Sequence, residues 1–149
     1  MATAYDLTVE APQTVVSGSG SWASGVQKYY HRFKVVPVDG DTFKLWDLAK
    51  GEAMILAAMK VITGGNGTAP TISLGIDTAG MLVASPVTAA AVTAGTNVYY
   101  SSTAASVMAP AAVLTSAVPF IATYASGGGS PTTEIEIEVE LITIKSALV

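Results

Sequence analysis

The chain has 149 residues, half of them hydrophobic, which suits one domain with a substantial core. It has no cysteine, so disulfides and thiolate metal sites are excluded, and charged residues are only 12 %, against roughly 25 % in an ordinary soluble domain. The net charge of −4 comes without a basic block, which argues against nucleic-acid binding; so little charge points to a surface partly covered in an assembly.

The stretch Met1 to Glu10 has neither the basic start nor the apolar centre of a secretory signal. The longest unbroken apolar run, Ala53 to Met59, is far short of the ~20 residues that span a bilayer. Residues 1–26 read as an extended N-terminal arm with the flexible run Ser17-Gly-Ser-Gly-Ser21. Its sparse apolar residues, Tyr5, Leu7, Val9, Val15, Val16 and Trp22, are the candidates for contact with a partner surface. Residues 27–149 read as the folded domain.

The first strand covers 27–36. Alternation lays Lys28, Tyr30, Arg32 and Lys34 on one face and Tyr29, His31, Phe33 and Val35 on the other. Pro37 and the turn Asp39-Gly-Asp41 end it. The second strand, Thr42 to Leu48, puts Phe43 and Leu45 on one face and Lys44, Trp46 and Leu48 on the other. Trp46 and Leu48 then face outward as candidates for a subunit interface, unless the strand is covered on both sides. Ala53 to Thr63 has the Ala, Met and Leu content of a helix, but its flanking glycines and β-branched tail favour a strand. Gly64-Gly-Asn-Gly67 lacks the Lys-Ser/Thr of a phosphate loop and reads as a flexible hairpin.

Thr71 to Ile76 alternates cleanly, with Ile72, Leu74 and Ile76 inward. Met81 to Ser85 is a short strand and Val87 to Val92 one helical turn. Thr96 to Ser101 is a strand whose Tyr99 and Tyr100 suit the core or a subunit interface, or with Trp46 a sugar-stacking platform. Ser102 to Ala117 is a long Ala/Ser loop, of a length expected where a loop is used or covered. Val118 to Tyr124 and Glu134 to Lys145 are the last two strands.

The final strand carries Glu134, Glu136, Glu138 and Glu140 on one face and Ile135, Ile137, Val139 and Leu141 on the other. Four like charges ~7 Å apart call for a basic ladder alongside, and Lys28, Arg32 and Lys34 supply one. The first and last strands are therefore expected to be neighbours. A cation site or an acidic docking face is the other use of such a row. Eight strands with that adjacency predict an all-β fold, an antiparallel jelly-roll β-sandwich preceded by the arm. An immunoglobulin-like sandwich lacks its cysteine pair.

No catalytic constellation stands out. His31 is the sole histidine and sits on the apolar face of its strand, so it reads as a core residue. No HExxH or GxSxG motif is present. The expectation is a protein without enzymatic activity, metal or cofactor.

Four stretches carry a resemblance: Tyr29-Tyr-His-Arg-Phe-Lys-Val-Val36, Asp41-Thr-Phe-Lys-Leu-Trp-Asp-Leu48, Ala53-Met-Ile-Leu-Ala-Ala-Met-Lys-Val61 and Thr71-Ile-Ser-Leu-Gly-Ile-Asp77. In strand texture they resemble small virion proteins of tailed bacteriophages, over about half the chain. The resemblance implies a head decoration (cement) protein with a β-sandwich domain. Such a protein is made in the host cytoplasm, sits on the capsid surface and clamps neighbouring subunits of the major capsid protein. It also implies a homo-oligomer, a trimer being favoured at a local three-fold and a dimer at a two-fold. Other readings are a head-fibre base, a tail component or a carbohydrate-binding module.

Overall fold

The computed structural model describes residues 1–8, 13–14, 26–76, 87–101 and 114–145. These contain ten strands and no helix: β1 (Ala4–Asp6), β2 (Gln13–Thr14), β3 (Val26–Val35), β4 (Thr42–Leu48), β5 (Glu52–Thr63), β6 (Thr71–Ile76), β7 (Val87–Ala91), β8 (Asn97–Ser101), β9 (Val118–Ala125) and β10 (Ile135–Lys145). They form two five-stranded sheets, ordered β1-β4-β9-β6-β7 and β2-β3-β10-β5-β8.

The all-β expectation holds, with ten strands in place of eight. Three of the ten were not expected as strands, and two of these, β1 and β2, come from the stretch expected to be an arm. Ala4–Asp6 runs parallel to Thr42–Lys44, and Gln13 and Thr14 pair with Tyr29 and Lys28. Val87–Ala91, expected as a helical turn, pairs with β6 instead. A ladder partner overrides the helix preference of three alanines. Met81–Ser85 lies outside the described residues. The segment 52–63 is a strand because β10 and β8 flank it on either side. Ala57, Met59 and Val61 are buried, whereas Ala58 is half-buried and Lys60 exposed.

From Val26 onward the pairing nests. The first of the eight strands pairs with the last (β3 with β10), the second with the seventh (β4 with β9), the third with the sixth (β5 with β8) and the fourth with the fifth (β6 with β7), all antiparallel. Gly64–Gly67 is not a hairpin, since β5 and β6 belong to different sheets. It is a crossover pinned to the β9–β10 loop. Asn66 Oδ1 accepts from the backbone N–H of Thr132 and Thr133, and a Cβ on Gly67 would lie 2.5 Å from the Ser126 carbonyl oxygen.

The core lies between the sheets. Phe43, Leu45, Trp46, Leu48, Ile72, Leu74, Phe120 and Tyr124 come from one sheet, and Tyr29, Phe33, Met59, Val61, Ile137, Val139 and Leu141 from the other. Aromatics are few but concentrated here. Trp46 lies 5.5 Å from Tyr29 and 5.7 Å from Phe120, and Phe33 lies 5.1 Å from Phe43, centroid to centroid.

Trp46 and Leu48 do not face outward. They are 3 % and 1 % exposed. The reason is a bulge: the β4–β9 register slips between Lys44 and Trp46, so Leu45 is an extra residue on β4. The slip reverses the parity, and Phe43, Leu45, Trp46 and Leu48 all point inward.

Candidate functional site

The charged residues singled out from the sequence meet on the outer face of the second sheet. β10 sets Glu136 opposite Lys34, Glu138 opposite Arg32 and Glu140 opposite Tyr30. Arg32 Nε donates to Glu136 Oε1 at 2.5 Å, and Arg32 Nη1 reaches Glu138 Oε1 at 3.5 Å. Lys34 Nζ lies 3.9 Å from Glu136 Oε2, and Lys28 Nζ lies 3.2 Å from Glu140 Oε2. Tyr30 donates its hydroxyl proton to Glu138 Oε1 at 2.8 Å. Glu134 is exposed one residue before the strand, so the ladder within β10 has three carboxylates, not four.

The arrangement is electrostatically consistent. The Arg32 hydrogen bond, aided by the charges of Arg32 and Lys34, holds the Glu136 carboxyl below its ordinary value, and burial opposes it only in part. The hydrogen bond to Glu138 pushes the Tyr30 phenol up. Water screens each of these partly exposed pairs, so each adds little stability on its own. Their main effect is to fix register, because a slip of one residue would set isoleucines against the cations.

Two buried carboxylates were not legible as fixed points. Glu52 is 0 % exposed. Its Oε1 accepts from the Tyr29 hydroxyl at 2.5 Å and from Thr143 Oγ1 at 2.7 Å, and its Oε2 accepts from the Ala49 N–H. Asp41, in the turn Asp39-Gly-Asp41, accepts from the Thr3 N–H at 2.6 Å and the Val38 N–H at 2.8 Å. Asp39 accepts from both the N–H and the hydroxyl of Ser126, which holds its carboxyl low. The turn thus ties the N-terminal residues, β3 and the end of β9 together. An acidic residue beside glycine in a tight turn was the only sequence signal for either.

Of the residues assigned to the arm, Tyr5 stacks on Phe43 at 5.1 Å, and Tyr5 and Leu7 pack against the core. Val9, Val15, Val16 and Trp22 lie outside the described residues. Tyr99 and Tyr100 are in β8, paired with Ala58 and Ala57. The buried Trp46 indole cannot stack on a sugar, which removes one part of the platform expected from Trp46, Tyr99 and Tyr100. His31 is 4 % exposed and stacks on Phe33 at 5.8 Å.

Some residues of β1, at the edge of the first sheet, and of β3 line a common depression. A groove of about 410 Å³ lies there, lined by Tyr5, Leu7, Phe33, Val35 and Phe43, with His31, Arg32 and Lys34 alongside. Val36 and Val38, 47 % and 41 % exposed, follow directly on β3. A shallower depression of about 130 Å³ on the outer face involves Tyr30, Lys60, Asn97 and Glu138. Among the described residues, no group of three or more His, Asp or Glu is placed to hold a metal ion.

No protein-family model matches the sequence, and no curated protein does. Two solved structures share the fold. One, titled as the capsid of Ralstonia phage GP4, superposes with a TM-score of 0.50 at 21 % identity, over 89 % of this chain and 92 % of its own. The other, titled as the capsid asymmetric unit of cyanophage Pam1, superposes with a TM-score of 0.54 at 14 % identity, over 91 % of this chain and 94 % of its own. At these identities the likeness is one of fold.

Proposed function

We propose that the chain is a structural virion protein that decorates a phage capsid, binding the outside of the shell and clamping neighbouring subunits of the major capsid protein. The observation that carries this reading is the fold likeness to two phage capsid chains over more than nine-tenths of their own length. Both are chains of about this size rather than domains cut from larger ones. The nested strand pairing supports reading the two sheets as a jelly roll of eight strands, to which β1 and β2 are added at the sheet edges. The charge-poor sequence suits a surface covered in an assembly, and the protein acts by adhesion rather than catalysis. A closed homo-oligomer, with a trimer favoured, would multiply weak contacts on a symmetric lattice.

The test mixes purified protein with undecorated shells of its phage. Expected are saturable binding in a fixed ratio to the major capsid protein, density on the outer surface by cryo-microscopy, and a higher melting temperature of the shell. Protein found only at the tail, or no association with shells, would overturn the reading.

A further inference from the structure

The crossover between β5 and β6 contains Asn66-Gly67, a dipeptide prone to spontaneous loss of its amide, because glycine puts no side chain in the way of ring closure. The Gly67 backbone nitrogen gives its proton to solvent and bonds to Asn66 Cγ. The Cγ–Nδ2 bond breaks, and the amide leaves as ammonia. Water then opens the cyclic imide, either to aspartate or to isoaspartate, in which the main chain runs through the former side-chain carbonyl.

The fold holds both reacting groups still. Asn66 Oδ1 accepts from the Thr132 N–H at 3.0 Å and the Thr133 N–H at 3.2 Å, and Asn66 Nδ2 donates to Thr132 Oγ1 at 3.0 Å. Ring closure turns the amide onto its own main chain and away from the β9–β10 loop, so these bonds must break first. Gly67 is wedged against the same loop, where a Cβ would lie 2.5 Å from the Ser126 carbonyl oxygen, so its peptide cannot swing to meet the amide. Yet Asn66, Thr132 and Thr133 are exposed, and the loop carries three exposed glycines in a row, Gly127 to Gly129. A solvated loop of this kind opens at a small fraction of the cost of global unfolding.

A second such dipeptide, Asp39-Gly40, is held by the same loop and gives the contrast. There the nucleophile is occupied, since the Gly40 N–H donates to the Tyr124 carbonyl at 3.0 Å. The Asp39 carboxyl is kept as the anion by the Ser126 N–H and hydroxyl, and an anion resists attack by an amide nitrogen. No described residue accepts from the Gly67 N–H. At Asn66 the ties to the loop are thus the main restraint.

We propose that Asn66 is a self-modification site latched by the β9–β10 loop. Closed, the loop keeps the amide intact; each opening exposes it to the Gly67 nitrogen. The isoaspartate product lengthens the main chain just before Gly67, at a contact with no room for a Cβ, so the loop cannot reclose over it. The step is irreversible and loosens the tie between the β5–β6 crossover and the β9–β10 loop.

The test incubates the full chain in mildly alkaline buffer beside the peptide acetyl-Gly-Gly-Asn-Gly-Thr-Ala-amide. Peptide mapping by mass spectrometry follows amide hydrolysis, and enzymatic methylation detects isoaspartate. Expected is modification at Asn66 at least about tenfold slower than in the peptide, with Asp39 intact over the same period. Thr132→Ala removes the acceptor of the Nδ2 bond, and adding Thr133→Pro removes a donor to Oδ1. The rate should rise about 2-fold in the single variant and about 3- to 10-fold in the double one. Near-ultraviolet circular dichroism checks that each is folded, and the single variant decides alone if the double one is not. Modified chains, separated by ion exchange, should show faster hydrogen exchange at residues 126–133. Wild-type modification as fast as the peptide overturns the latch. So does an unchanged rate in the folded variants, or reaction of Asp39 before Asn66.

Discussion

At the residue scale the most exposed weakness is Ala89. It holds φ at 48°, in the left-handed region that costs an L-residue about 1 kcal/mol or more. The cause is a bulge, because the β6–β7 register slips between Ile72 and Leu74 and the Ala89 N–H turns to Ser73 Oγ at 2.9 Å. Glycine fits this conformation, so Ala89→Gly should raise stability by about 0.5–1 kcal/mol, read as a higher urea midpoint at unchanged slope. Ala89→Val should lower the midpoint, and the opposite order would show that the strain is absent. Glu136 carries the clearest pH dependence. Arg32 first, then Lys34, holds its folded-state pKa below the ordinary value of 4.5. Its charged form is thus favoured by folding. That contribution is complete above the ordinary value and disappears as pH falls through the depressed one. Urea midpoints should drop on acidification from about pH 5 to pH 3, and Glu136→Gln should flatten that drop. Asp39, also depressed, keeps part of it.

Among the elements, β1 shows why a segment that looked like an arm is part of the sandwich. Three residues are too few for a period to be read, and Tyr5 gives no sign of its partner Phe43. In the fold, the Leu7 N–H donates to the Lys44 carbonyl at 2.8 Å and the Thr42 N–H to the Thr3 carbonyl at 3.0 Å. Tyr5→Ala removes the ring stacked on Phe43 at a half-buried position, and should cost about 2 kcal/mol of unfolding free energy in a urea titration. A change under a few tenths would mean that β1 adds nothing to the core. The ladder between β3 and β10 was legible because opposite charges recur with the period of a strand at both ends of the chain. Ile72 and Leu74 were legible for the same reason, although Ile76, expected with them, is only half-buried. The β4 bulge was not legible, because one inserted residue reverses the parity without changing the composition, and Trp46 passes from an expected outer position to the core. Nor were the pins of the site. Asp41 answers Thr3 from 38 residues away and Glu52 answers Thr143 from 91, distances over which local pattern carries no signal.

For the whole molecule the decisive fact is that the last strand is an inner one. β10 lies between β3 and β5, and five of its side chains, from Ile135 to Thr143 in alternation, are fully buried. Until it arrives, β3 and β5 each lack a ladder partner, and the second sheet is split into two fragments. The nested pairing makes this worse, since the outermost pair joins residues about a hundred apart and its loop entropy must be met before any β3–β10 contact forms. Refolding should therefore be slow for the chain's size, on the order of milliseconds to seconds, as in other folds dominated by distant pairings. A chain that stops at Thr133 should show neither near-ultraviolet circular dichroism nor a cooperative urea transition, whereas the full chain should show both. Microsecond refolding, or a cooperative transition in the shortened chain, would mean that the first sheet with β5 and β8 is already a stable unit. The expected outcome has a consequence for the order of folding: β3 and β5 are joined into one sheet only when β10 is in place, so the second sheet is completed last.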